Sequence, residues 1–461
     1  MSQPNIVLLV LDSARGDRVP THGEHVITPN IRDLGRRGLQ FTDAHAHSVT
    51  SSSSMGSLLT GLHPWEHGIA PAEGKLGDDE RTIASRLSDV GYETIGVSAN
   101  THFAPATNLA NGFDEFCFLS SSPKQLLKTA GAKNVLRHLV RARTHSAGLS
   151  RETEKHSVTG MINDIALQTT RQAEAPFFLA VQYIEPHSPY YPPHGFMNQF
   201  EDRLAEWDLT STEGADIAYR IHDEMHQLMA DGLPLSNREW AALRIMYDTE
   251  LYYTDLMVGR LIDQLRKRYE DTIFIVTADH GDLFGERNTV FHSKTLHRGL
   301  THVPLVAEGW NLDTNTDAPV THSDITRTLL EDVGADTEGM TGVNLRESER
   351  DYVITQRVNP ILFEEDEYGP GHSNELVHTE PVTAVEKDGY RLLRSDEKES
   401  LFTIEDEETD LIDDPATADV RDDLRSRLKE WFETHPEDPA EAEQADWSAS
   451  AKQQLEDLGY I

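Results

Sequence analysis

Cysteine is nearly absent from this chain: Cys117 is the only one in 461 residues. That excludes an internal disulfide and any cysteine-built metal cluster. Basic residues are also sparse, 41 Lys plus Arg against 79 Asp plus Glu, and lysine is rarer than arginine. The resulting formal charge of −38 argues against a general nucleic-acid binder and fits a solvated acidic surface of the kind suited to concentrated salt. Long apolar runs are missing too. Nothing approaches the roughly 18 residues of a membrane span, and the first apolar stretch, Ile6 to Leu11, is too short for a signal peptide. The expectation is a soluble cytoplasmic protein with no internal repeat, large enough for one big domain and a smaller one.

What is present is a recurring pairing of buried-strand runs with polar residues at their ends. Asn5–Leu11 is continuously apolar after its first residue and runs into Asp12-Ser13-Ala14-Arg15-Gly16-Asp17. Thr94–Ala99 is followed by Asn100 and His102, Phe177–Tyr183 by Glu185-Pro186-His187-Ser188-Pro189-Tyr190, and Thr272–Ala278 by Asp279-His280-Gly281-Asp282. Uninterrupted apolar strands separated by helical patterns indicate an α/β fold with a mostly parallel sheet, whose sites form beyond the C-terminal strand ends. Asp and His adjacent at such an end, with Gly behind them, can place one carboxylate oxygen and one imidazole nitrogen on the same cation. Asp12 taken alone reads equally as the cap of a turn.

The stretch Val49-Thr50-Ser51-Ser52-Ser53-Ser54-Met55-Gly56-Ser57-Leu58-Leu59-Thr60-Gly61 runs a crowd of hydroxyls into a small, apolar segment. Serine runs are commonly linkers or repeated helix caps. Here the apolar sequel predicts a helix of about two turns, with a hydroxyl near Ser51 at its amide-rich, positive end. Such a place favours an attacking oxygen and the anion it attacks.

This segment, with its Leu-Thr-Gly sequel, resembles the nucleophile signature of the sulfatase family within the alkaline-phosphatase-like superfamily. Other motifs of the family are resembled by Pro186-His187-Ser188-Pro189-Tyr190, Gly112-Phe113-Asp114-Glu115-Phe116, Asp279-His280-Gly281 and Phe284-Gly285-Glu286 followed by His292 and Lys294. The resemblance implies a mostly parallel central sheet sandwiched by helices, with a small C-terminal α+β subdomain. It implies Ser51 as the nucleophile, with Thr50 as its stand-in should the helix register slip by one. One divalent cation (Ca²⁺, Mg²⁺ or Mn²⁺) would be held by Asp12, Asp279 and His280, and His187, His292 and Lys294 would meet the transferred group. The substrate implied is a small anionic ester. Five departures matter. Ser53 stands where the family has Pro and Met55 where it has Arg, the two residues that direct conversion to formylglycine, so Ser51 reads as unmodified. Ser13 stands where many relatives carry a second acid. The Gly-Lys-x-His motif after the second strand is missing, and so is the Asp-x-x-Gly-His pattern of two-metal relatives near Asp255 and Gly259. A sulfuric ester is the first substrate reading. A phosphoric or phosphonic ester, or transfer of a phospho-alcohol group, is the rival that an unmodified serine favours. A sulfatase-fold binding protein without chemistry is the third.

Residues 1–350 are expected to form the catalytic part, with insertions at about 120–160 and 195–235, and 351–461 a small antiparallel-sheet subdomain with a helix and a solvated acidic tail. One segment departs from the acidic background: Lys124, Lys128, Lys133, Arg137, His138, Arg141, Arg143 and Arg151 gather around Val135, Leu136, Leu139 and Val140. The favoured expectation is a surface helix packed by that apolar face. The sharper one is an element that draws in anionic substrates or rests on anionic lipid headgroups. Arg15 and Asp17 read as a structural ion pair.

Overall fold

The computed structural model describes residues 3–19, 27–69, 74–119, 123–147, 155–174, 176–292, 295–360, 376–440, 443–445 and 452. Seven strands form the central sheet: β1 Asn5–Leu11, β2 Leu39–Phe41, β3 Glu93–Ser98, β4 Glu115–Phe118, β5 Phe177–Tyr183, β6 Thr272–Ala278 and β7 Leu305–Glu308. Their order is β2-β7-β6-β1-β5-β3-β4, and the five from β6 to β4 are parallel. Every residue of β1, β5 and β6 is buried, as their apolar runs require of strands covered on both faces. Leu11 stands opposite both Tyr183 and Ala278. The three strands therefore end level, and Asp12, the loop after Tyr183, and Asp279 leave the sheet side by side.

Helices α1 Pro29–Arg37, α2 Ser51–Thr60, α3 Pro123–His145, α4 Thr159–Thr169, α5 Asn237–Arg266 and α6 His322–Asp332 belong to the same body. A capping box opens α5: Ser236 Oγ accepts from Glu239 N–H while the Glu239 carboxylate accepts from Ser236 N–H. Asp255, on α5, accepts from the backbone N–H groups of Asn30 (3.1 Å) and Ile31 (2.8 Å), which makes it the cap of α1 and removes it from any cation site. Gly259, one turn further, is demanded by the same contact, since a Cβ there would lie 2.4 Å from Asn30 Oδ1. Residues 195–235 contain the helices Glu201–Ala205, Ser211–Asp223 and Met225–Ala230.

Beyond residue 350 a second sheet of four antiparallel strands runs β8 Val353–Arg357, β9 Val382–Lys387, β10 Tyr390–Arg394 and β11 Glu399–Thr403, followed by α7 Ala418–Phe432. Side-chain alternation divides its faces. Ile354, Val385, Leu392 and Leu401 pack on Leu424, Leu428 and Trp431 of α7, whereas Val382, Ala384, Leu393 and Phe402 pack on Val49, Leu283, Leu296 and Leu300 of the larger body. Strand β8 also reaches the segment leading into α2: Gln356 N–H donates to the His47 carbonyl (2.8 Å), and Ser48 Oγ donates to the Gln356 carbonyl (2.7 Å).

Ala440 N–H donates to the Trp65 carbonyl, and Glu443–Gln444 pair antiparallel with Gly74–Lys75, so backbone bonds anchor the acidic end while Glu437 and Asp438 stay exposed. One expectation is corrected. The apolar face of the basic helix does not pack: Leu136, Leu139 and Val140 are exposed, and Val135 is the member of that group that meets the core.

Candidate active site

Helix α2 begins at Ser51 with Thr50 as its N-cap in extended conformation, and ends at Gly61, whose φ of +75° makes the left-handed stop that a side chain resists. Three of its serine hydroxyls are bonded elsewhere. Ser53 Oγ donates to the Ile69 carbonyl (2.7 Å), Ser54 Oγ to the Ser48 carbonyl (3.1 Å), and Ser57 Oγ meets His67 Nε2 (3.1 Å). Ser51 Oγ instead lies 3.4 Å from Asp12 Oδ1, to which it donates, and 3.2 Å from His280 Nε2. Thr50 Oγ1 and Ser52 Oγ are buried with no hydrogen-bond partner among the described residues.

Asp12, Asp279 and His280 are fully buried, and one ligand atom from each lies within 4.8 Å of the others. The carboxylates are aimed by neighbours. Asn100 Nδ2 donates to Asp12 Oδ2, and Ser13 Oγ donates to Asp12 Oδ1. Ser13, at φ +62°, turns its N–H onto Asp279 Oδ1 (3.1 Å), which also accepts from His280 N–H (2.8 Å). Gln182 Nε2 donates to Asp279 Oδ2 (3.0 Å). Among the described residues no Lys or Arg pairs with either acid. Burial first, then the Asp279 and Asp282 charges, push the Asp12 carboxyl well above the usual carboxylate range. Two buried acids with no cationic side chain between them are a good fit to a divalent cation. The His280 tautomer fits as well: Nδ1 is 2.8 Å from the Gly281 carbonyl and donates there, which leaves the Nε2 lone pair facing Ser51 and the acids. A second grouping, His280, Asp282 and His292, shares that ring, so both sets compete for its one outward nitrogen.

A second wall is histidine-rich. His187 sits between Pro186 and Pro189, each preceded by a cis peptide bond, with Nδ1 2.6 Å from the Ser188 carbonyl. Its ring centre is 4.9 Å from that of His292, which is 4.4 Å from that of His280. His292 Nδ1 donates to Asp282 Oδ1 (2.7 Å), and Tyr190 Oη donates to Asp282 Oδ2 (2.6 Å). Burial holds the His187 and His292 imidazoles well below their ordinary pKa, so both are neutral before an anion arrives. His102 is buried beside them and pushed down to about 3, by burial and then by the charges of His292 and His280.

Ser51, Asp12, Asp279, His280, His187 and His292 thus converge; Lys294 lies outside the described residues. Sequence reasoning missed Gln182, Asp282 and Tyr247. Gln182 carried a signal, being the one polar residue inside a seven-residue buried strand. Tyr247 had none: its hydroxyl donates to the Ser13 carbonyl and accepts from Arg15 N–H (both 2.9 Å), so it fixes the loop from α5. Asn100 proves to orient Asp12, and Arg15 pairs with Glu286 (2.7 Å) as well as Asp17 (2.8 Å), tying the loop after β1 to the one after β6.

Known proteins share this architecture. Agrobacterium radiobacter phosphonate monoester hydrolase superposes with a TM-score of 0.71 at 19% identity, covering 94% of this chain and 96% of that one. By sequence, an uncharacterized Escherichia coli (strain K12) sulfatase, YidJ, is 25% identical over 94% of this chain and 88% of its own length. A Clostridium perfringens (strain 13 / Type A) arylsulfatase is 26% identical over 66% of this chain and 68% of its own. No helix among the described residues is long and apolar enough to cross a membrane. The model of the sulfatase family matches residues 4–335, most of the body that carries the converging site, and the chain belongs to that family.

Proposed function

We propose that this protein is a metal-dependent hydrolase of a sulfuric ester, with Ser51 as the attacking group. The observation that carries the reading is the seat of the Ser51 hydroxyl, at the amide end of α2 and within hydrogen-bond distance of both Asp12 and His280. Asp12, Asp279 and His280 would hold one divalent cation, which when bound supplies Lewis-acid polarisation and charge neutralisation for a tetrahedral anion. Ser51 Oγ attacks the central atom of the ester in line, its proton leaving along the hydrogen bond to Asp12, and the bond to the ester oxygen breaks. His187 and His292 face the departing alkoxide. An arriving anion raises their proton affinity, and Asp282 stabilises the imidazolium formed at His292, which then donates its proton to the leaving oxygen. Water attacks the Ser51 adduct, returns the hydroxyl and releases the oxyanion.

A second reading, hydrolysis of a phosphoric or phosphonic ester, is favoured by Ser53 and Met55. Ser53 is bonded to the Ile69 carbonyl and Met55 is sealed in the core, so neither offers the Pro and Arg that direct oxidation of the nucleophile in relatives. An unmodified serine adduct must leave by a second displacement, which phosphorus supports well. The fold shared with a phosphonate monoester hydrolase agrees with it. A binding protein without chemistry has no physical need for three converging ligands around a buried hydroxyl. Turnover of p-nitrophenyl sulfate, p-nitrophenyl phosphate and bis-p-nitrophenyl phosphate with Ca²⁺, Mg²⁺ or Mn²⁺ separates the readings. Activity that survives both Ser51→Ala and Asp279→Ala rejects the mechanism.

A further inference from the structure

Five large hydrophobic side chains are exposed among the described residues, and four of them, Leu127 (49%), Leu136 (64%), Leu139 (64%) and Val140 (76%), lie on α3. The helix is interrupted at Gly131 (φ +74°), and its longer second part carries Leu136, Leu139 and Val140 at i, i+3 and i+4, one outward stripe. The opposite side seats the helix on the body: Val135 meets the core, and Asn134 Nδ2 donates to the Ala130 carbonyl and to Gln168 Oε1 (both 3.0 Å). Beside the stripe, Lys133, Arg137 and Arg141 follow one another at i, i+4 and i+8.

Below that row is a pocket of about 460 Å³ between α3, α4 and α5, lined by Arg137, Arg141, Arg171 and Arg260. Asp164 is its one carboxylate, 2.7 Å from Arg137 and 3.5 Å from Arg141. Arg171 and Arg260 meet no carboxylate at ion-pair distance among the described residues. Four guanidinium groups against one acid form a cationic island on a chain of net charge −38.

We propose that α3 is a docking surface for an anionic lipid bilayer: its leucine-valine stripe lies at the boundary of headgroups and acyl chains, and the arginine pocket takes a lipid phosphate. Outward apolar residues beside a basic row are the arrangement by which an in-plane helix binds such a surface. The acidic remainder of the protein is repelled by the same membrane, so the approach is oriented onto α3. A two-fold contact with a second copy about this stripe would set the arginine row against itself. A free phosphate ion gives no role to the exposed leucines.

Flotation of the full chain with vesicles tests this. Binding is expected with mixed phosphatidylglycerol–phosphatidylcholine vesicles and is at least roughly tenfold weaker with phosphatidylcholine alone. Replacing Leu136, Leu139 and Val140 together by Ser reduces flotation to background while the melting temperature stays near wild type, because these three side chains are exposed; Arg137→Gln with Arg141→Gln, which removes two charges and leaves amides beside Asp164, lowers the partition coefficient roughly thirtyfold. In Leu139→Trp, the emission of the new indole shifts to the blue on anionic vesicles. Equal binding to both vesicle types, variants that float like wild type, or no blue shift overturns the proposal. So does light scattering that shows a dimer which the serine variant dissociates, since the stripe is then a self-association surface.

Discussion

Replacing Asp282 by Asn changes activity and stability in opposite directions, and that opposition separates a chemical role from a structural one. The amide is the same size as the carboxylate. Its oxygen can still accept from His292 Nδ1, while the Tyr190 hydroxyl, donor and acceptor alike, rotates to accept from the new NH₂. What is lost is the negative charge beneath the imidazole. A hydrogen bond to a charged partner contributes about 1.5–3 kcal/mol, so kcat is expected to fall roughly 10- to 100-fold, with KM changing less. Stability runs the other way. Burial, the first cause, pushes the Asp282 carboxyl from 3.8 up to about 6. The folded state then holds its proton when the unfolded chain has released it, so the group's contribution is intact below pH about 4, falls as pH rises to about 6, and is flat above. At about 1.4 kcal/mol per pKa unit the ionised carboxyl costs the metal-free fold on the order of 3 kcal/mol at neutral pH. The uncharged Asn escapes that cost. Urea unfolding of EDTA-treated protein at pH 7 should show the variant at least as stable as wild type, and the advantage should vanish at pH 4. An unchanged kcat, or a variant that is both slower and less stable at pH 7, refutes the assignment.

Ser51→Ala should lose activity by three orders of magnitude or more, on the order seen when a nucleophile is removed, while Thr50→Ala retains most of it; steady-state assay of both checks the register of α2. Intact mass of the purified chain should equal the sequence mass, and a two-dalton deficit mapped to residue 51 would revive the formylglycine route. EDTA should abolish turnover, and restoring the preferred cation at about a hundredfold over its Kd should stabilise the fold by about 2.7 kcal/mol, read as a rise in melting temperature. Asp255→Ala should destabilise by about 2 kcal/mol through loss of the α1 cap yet leave the metal dependence of kcat unaltered. A shifted metal affinity there would mean that the residue reaches the cation after all.

Much of the site was legible because its parts are local. Apolar runs of seven residues ending in Asp12, in Glu185-Pro186-His187 and in Asp279-His280 announce buried strands, and parallel strands of equal depth bring their ends together. The small C-terminal sheet was expected from the family resemblance. The misses share a different origin. Tyr247 and Gln182 act through partners 232 and 97 positions away, and no local pattern encodes such a pairing. Composition spoke for the acidic tail's side chains and was silent on the backbone pairing with Gly74–Lys75 that anchors it. The apolar residues of α3 looked like a packing face because periodicity shows that a stripe exists and is silent on what covers it.

The sequence by itself determined the α/β class with a mostly parallel sheet, a helix starting near Ser51 and the chemical type of each candidate ligand, since these follow from hydrophobic period, capping and residue identity over a few neighbouring positions. Only the tertiary structure decided that Ser51, among several hydroxyls, faces Asp12 and His280. It decided as well that Asp255 caps a helix and that three residues of α3 stay in solvent. Each of those outcomes depends on where distant backbone segments come to rest, and that is set by packing over the whole body.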